Sequence, residues 1–107
     1  MKKNRRERRL ERGAVVYLTT DRHPFVVVSN NSANRHSSEI IVIPMSSKHK
    51  RLDLRTHAIV NFHDSLILAE NVRSVKKDTV KNIVHILNRE SMEKVDSCLL
   101  AAIGIKK

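Results

Sequence analysis

Six histidines, one cysteine and a large surplus of Lys and Arg are the side chains able to do chemistry in this 107-residue chain. Imidazole exchanges protons near neutral pH, so each histidine is a candidate acid or base. The histidines lack the spacing of a metal site: no Cys/His pairing occurs, and the lone His36-x-x-Glu39 run has no second His or Cys near it in sequence. His57 and His63, six residues apart, flank a predicted strand and turn, which makes no preformed pair of ligands. No metal and no cofactor are expected. Two glycines leave no room for a phosphate-cradling loop, which argues against an ATPase or dinucleotide enzyme. Cys98, alone in the sequence, cannot form an internal disulfide and reads as a small core filler in a reducing cytoplasm.

The cations point to a polyanion. There are 21 Lys+Arg against 11 Asp+Glu, a formal net charge of +10. Within residues 1–12, seven basic residues stand against Glu7 and Glu11. Residues 1–11 read as a mobile arm, or as a helix formed only against its target, with Leu10 the only apolar residue after Met1. Arg5, Arg6, Arg8 and Arg9 suit bidentate phosphate contacts, so RNA is the natural partner; a solvated tail is the plainer alternative. Metal-free RNA cleavage has definite needs: a base for the 2′-hydroxyl, an acid for the 5′-oxygen, and a cation for the developing charge.

The elements that must position such groups come from the apolar pattern. With 40% hydrophobic residues, the chain supports one compact domain over residues 12–107. Ala14–Thr20, Phe25–Asn30 and Ile40–Ile43 are short β-rich runs bounded by Asp, Asn, Ser or Pro, and read as strands with both faces covered. Leu52 and Leu54 alternate with Arg51, Asp53 and Arg55, the pattern of a half-exposed edge strand. Ala58–Val60 and Leu66–Ala69 add two strands joined by a turn at Asn61–Ser65. Such spacing predicts a small β-barrel. Val80–Leu87 fits either a helix or a strand. From Arg89 to Ile103, Met92, Val95, Leu99, Ala102 and Ile103 form one apolar stripe on a helix, capped by Asn88 and stopped at Gly104. The longest apolar stretches run four to six residues, too short for a membrane span or a secretory signal core.

Several ordered motifs carry a family resemblance. Arg12-Gly13-Ala14-Val15-Val16 resembles the opening strand of MazF/PemK-type toxins, the endoribonucleases of bacterial toxin–antitoxin pairs. His23-Pro24-Phe25-Val26-Val27-Val28-Ser29-Asn30 is similar to their Arg-Pro-plus-valine strand, with Asn34-Arg35 following at the family spacing. Ile41-Val42-Ile43-Pro44-Met45-Ser46-Ser47-Lys48 resembles their strand and Pro-x-Thr/Ser-Ser element. Asp64–Val75 resembles the run ending Asp/Glu-Gln-Ile-Arg-Ser/Thr-Ile/Val. The order and spacing hold across residues 12–106.

The resemblance implies a mainly β fold: a small SH3-like barrel of the CcdB/PemK type with short helices and a C-terminal helix. It also implies a strand over Ile83–Ile86, a homodimer, a cognate antitoxin lying across the RNA groove, and metal-independent cleavage of single-stranded RNA. His23 stands at the family's catalytic arginine; an ordinary turn histidine is the alternative. Ser46 stands at the hydroxyl that meets a phosphate, unless it binds its own backbone. Glu70 matches a proposed general base, or else orients Asn71 and Arg73 in the barrel wall. Arg22, Arg35 and Lys48 are the RNA-binding candidates of the domain. Arg22 is expected on the other side of the strand from His23. Two departures stand out: His23 replaces an arginine, and the first loop is short, with Thr19–Arg22 alone separating Leu18 from His23. They keep open a second reading, a cleavage-inactive module that grips nucleic acid or an antitoxin. Tyr17, Phe25 and Phe62 are too few for a base-stacking platform.

Overall fold

The apolar runs of the first half become strands whose alternate residues feed two separate cores. In the computed structural model, which describes residues 9–48 and 51–105, the chain forms β1 (Ala14–Leu18), β2 (Pro24–Val27), α1 (Asn31–His36), β3 (Glu39–Ser46), β4 (His57–Ile59), β5 (Leu66–Leu68), β6 (Arg73–Lys76), β7 (Val80–Ile86) and α2 (Arg89–Ala102). Val15, Val26 and Ile43 bury on one side against Val95 and Cys98 of α2. Val16, Phe25, Val27 and Val42 bury on the other, with Ile40 and Leu18. A strand covered on both faces needs no polar alternation, which is why these segments are continuous in sequence.

The sheet is antiparallel throughout, in the order β4-β5-β3-β2-β1-β7, with β6 also paired to β3. β3 is the hub. Its first residues, Glu39–Val42, pair with β6, while Met45 and Ser46 pair with β5. One long strand shared by two short partners bends the sheet around it, as the expected small barrel requires.

The segment left open between helix and strand is a strand. It pairs with β1 from Ala14↔Ile86 to Leu18↔Val80 and so begins at Val80, earlier than Ile83. At its end, the Asn88 side chain accepts from Ser91 N–H at 2.8 Å and caps α2. At the other end Gly104 takes φ +81°, with Gly104 N–H donating to Ala101 O and Ile105 N–H to Leu100 O. This is a Schellman stop, which a Cβ at position 104 would strain. Ile103 leaves the predicted stripe: as the cap residue beyond the last turn it is 57% exposed, whereas Val95 is buried, Met92, Leu99 and Ala102 pack half-buried against the core, and Cys98 is buried beside them.

The expected edge strand at Arg51–Arg55 is a run of turns. The Arg51 guanidinium closes on Asp53 with contacts of 2.9 and 3.0 Å, and His57 takes the Arg51 carbonyl from the core side at 2.6 Å. Those local bonds curl the segment away from any ladder. Helix α1 has no apolar periodicity and goes unread in sequence; Asn30 caps it by accepting from Ala33 N–H at 2.8 Å. Leu10 is not idle either, since it packs, half-buried, against the second core. Arg12 anchors the start of β1 by donating to Val28 O and to Asp96 of α2.

Candidate functional site

Strand register brings three distant segments to one place. β3 lies between β2 and β5, and both neighbours begin at its C-terminal end. Phe25 faces Pro44, so two residues earlier His23 falls level with Ser46; on the other edge Ser46 faces Leu66, directly after the β4–β5 turn. The result is a cleft of about 400 Å³ lined by Arg22 and His23, by Ser46 and Lys48, and by Phe62 and His63. Arg22 and His23 share the cleft because both precede β2, so the alternation expected of a strand does not separate them. A neighbouring surface hollow continues from Arg22 and His23 along the β1–β2 turn to Lys81.

The β4–β5 turn is held firmly. Val60 N–H donates to Ser65 O and Ser65 N–H to Phe62 O. Asn61 ties the turn to the start of α2: its N–H donates to Ser91 Oγ at 2.9 Å, and its Oδ1 accepts from Asn88 N–H at 3.0 Å. His63 and Asp64 both adopt φ +52°. Each such non-glycine residue costs about 1–2 kcal/mol, so the surrounding bonds must hold it there.

The cleft suits an anion. Its lining carries Arg22, Lys48 and two imidazoles, and no carboxylate among the described residues. Ser46 Oγ accepts from Lys48 N–H at 3.1 Å, the backbone-binding role open to it from sequence, and this bond also fixes where Lys48 begins. Phe62 lies against the His63 ring at 4.4 Å between centroids and near His85 at 5.4 Å. Phe62 and Tyr17 both line the cleft, so two of the three aromatics stand where bases could stack, while Phe25 is core.

Glu70 is engaged elsewhere. It sits in the 3-10 turn Ala69–Asn71 after β5, and its Oε2 lies 2.8 Å from His57 Nε2. The His57 side chain is fully buried, with Nδ1 at 2.6 Å from Arg51 O. A carbonyl and a carboxylate only accept, so the ring satisfies both when both nitrogens carry hydrogen. Burial works to raise the Glu70 carboxyl; the hydrogen bond from His57, bonds from its own backbone and Thr56, and the charge of His57 outweigh it and hold Glu70 below the usual carboxylate range. Glu70 is not among the side chains lining the cleft. Arg73 is exposed, lies over the Phe25 ring at 5.4 Å and donates to Asn71 O at 3.4 Å.

Other candidates fall outside the cleft. Arg35 is exposed in the last turn of α1. Its neighbour Asn34 is buried, donating to Ser29 O at 2.9 Å, and so shapes the β2–α1 corner. Of the arm, Arg9 is exposed, whereas Arg5, Arg6 and Arg8 lie outside the described residues. Burial, and then the charge of Glu70, push the Cys98 thiol up, as befits an inert core residue. Among the described residues, no three His, Cys, Asp or Glu side chains group as metal ligands, and no helix is long and apolar enough to cross a membrane. His57 and His63 lie outside the motif runs quoted from the sequence, and nothing in local spacing reveals that one is buried and the other lines the cleft.

A coiled antiparallel sheet backed by one C-terminal helix is the fold of MazF-type bacterial toxins. The chain belongs to the PemK-like, MazF-like toxins of type II toxin–antitoxin systems, matching that family over residues 11–103. Among individual proteins, it is similar to the endoribonuclease EndoA of Bacillus subtilis strain 168, at 28% identity over 88 residues, 77% of this chain and 76% of the relative. An endoribonuclease from a mycobacterial species superposes with a TM-score of 0.81 at 21% identity, over 91% of this chain and 93% of that one. A mycobacterial endoribonuclease solved with its cognate antitoxin gives 0.79 at 22% identity, over 91% and 97%.

Proposed function

We propose that this chain is a metal-independent endoribonuclease that cuts single-stranded RNA in the cleft at the end of β3. The carrying observation is the convergence of His23, Ser46 and Lys48, from two strand ends, on a cleft without a carboxylate in its described lining. The phosphodiester lies against Ser46 and the fixed charges of Lys48 and Arg22, which offset the charge building on phosphorus. His23 exchanges a proton with one of the two reacting oxygens. Phe62 and Tyr17 offer faces to the flanking bases. The arm, through Arg5, Arg6, Arg8 and Arg9, adds phosphate contacts, and Arg35 lies on the more distant backbone path. Glu70 acts from outside the cleft, by holding the wall in place, unless substrate draws it from His57.

The same reading makes the protein a cytoplasmic homodimer held by an antitoxin. Exposed Ile41, Ile59, Ile103 and Ile105 supply apolar surface for association, and a similar endoribonuclease has been solved with its cognate antitoxin. A second reading, a cleavage-inactive grip on nucleic acid or antitoxin, is favoured by one observation. Only residues 19–23 link β1 to β2, so little chain is available there to close over substrate. Incubating the purified protein with a long unstructured RNA in EDTA separates them. Discrete fragments are expected; intact RNA that is retarded on a gel, with retardation lost at high salt, would establish the binder.

A further inference from the structure

We propose that His63 is the second proton carrier of this cleft, acting with His23 on an RNA phosphodiester seated at Ser46 and Lys48. The inference rests on the nuclease reading and adds the group that reading lacks. Attack by a 2′-hydroxyl moves two protons, one off the attacking oxygen and one onto the departing 5′-oxygen. The two oxygens lie in line on opposite sides of phosphorus, so one side chain cannot serve both. Glu70, the other acid–base candidate, is bonded to buried His57 at 2.8 Å and does not line the cleft. The imidazoles that do are His23 and His63.

Their placement fits an in-line pair. His23 precedes β2 on one edge of β3, His63 precedes β5 on the other, and Ser46 stands between. Neighbouring strands are about 4.8 Å apart, so the β2 and β5 backbones flank β3 at about 10 Å from one another, and the cleft that both imidazoles line, about 400 Å³, has room for a phosphodiester. His63 is also held in place: its backbone is in the left-handed region, its turn is bonded to α2 through Asn61, and its ring lies on Phe62. The groups around it are the cations Arg22 and Lys48, the phenol of Tyr17, Asp64 next in the chain, and His85 behind Phe62. In the reaction the neutral imidazole takes the 2′-oxygen proton as the 2′-O–P bond forms. The protonated one gives its proton to the 5′-oxygen as the P–O5′ bond breaks. The products are a 2′,3′-cyclic phosphate and a 5′-hydroxyl, and exchange with water restores the starting protonation.

Two variants test this. Asn is at ease with positive φ, so His63→Asn keeps the turn and removes the proton carrier. Its kcat should fall at least about 10²-fold with RNA affinity retained, and one limb of the bell-shaped pH profile should disappear. Free imidazole should restore part of the cutting to His63→Gly. If wild-type protein cuts and His63→Asn cuts equally fast, or more slowly with an unchanged pH profile and no imidazole rescue, the assignment is overturned while the nuclease reading stands. If wild-type protein cuts nothing, the nuclease reading falls and the assignment falls with it.

Discussion

Replacing His23 with alanine is expected to slow RNA cleavage by about 10²–10⁴-fold, the usual contribution of a positioned general acid or base. The fold should not notice. His23 is exposed and lies in the turn before β2, so stability should change by no more than about 0.5 kcal/mol. Initial rates on a fluorogenic RNA, with thermal melts of both proteins, check the two halves together. A wild-type rate in the variant would remove His23 from the chemistry and return it to an ordinary turn histidine. A loss of rate accompanied by a lowered melting temperature would instead mean that the β1–β2 turn depends on this side chain.

His57→Ala should act in the opposite way, on the fold first. The ring is fully buried between the Arg51 carbonyl and the Glu70 carboxylate, and its removal leaves a void and two acceptors without their donor. Loss of a buried partner costs up to about 5 kcal/mol; the Glu70 side chain is 42% exposed and water recovers part of that, so about 2–3 kcal/mol is expected. In a domain of this size that lowers the melting temperature by about 8–20 °C. The partner's titration gives an independent sign. Glu70 is held below its ordinary range, so as pH falls the unfolded chain takes up this proton first. Its contribution is complete above about pH 4.3, the usual glutamate value, and is lost as pH falls through the lower folded one. Melts between pH 3 and 7 should therefore show an acid loss in wild type that is reduced in Glu70→Gln. Equal melting temperatures for wild type and His57→Ala at neutral pH would contradict the account.

The sheet was legible wherever apolar residues decide the structure. Val15–Val16, Phe25–Val27 and Val42–Ile43 bury on both faces, Ile41 alone of the Ile40–Ile43 run stays exposed, and no local bonding alternative competes with these runs. Helix α2 was readable for a similar reason: a 3.6-residue stripe, with Asn88 and Gly104 able to satisfy its ends. Legibility failed where side chains rewrite the backbone. Arg51–Arg55 alternates like a strand, yet its carbonyl and guanidinium are taken by His57 and Asp53. α1 is polar and depends on Asn30 and the buried Asn34, which carry no periodic signal.

The candidate site divides along the same line. His23, Ser46 and Lys48 could be marked from motif position, because each lies at the end of a recognisable strand. Glu70 could be marked too, but its bond to His57 spans a turn whose shape the sequence does not disclose. His63 could not be singled out at all. It joins the cleft only through the Ser46↔Leu66 register and through Asn61, which pins its turn to α2. Long-range register is a property of the whole sheet, so no window of sequence around His63 contains it.

If two protonating side chains and fixed cations cut RNA here through the 2′-hydroxyl, the ends of the fragments record it. Mass spectrometry of the ends produced in EDTA tests it most directly. Expected are 5′-hydroxyl ends paired with 2′,3′-cyclic phosphates, or with the 3′-phosphates formed on their hydrolysis. Ends bearing a 5′-phosphate and a 3′-hydroxyl would contradict it, because water rather than the 2′-hydroxyl would then have attacked phosphorus.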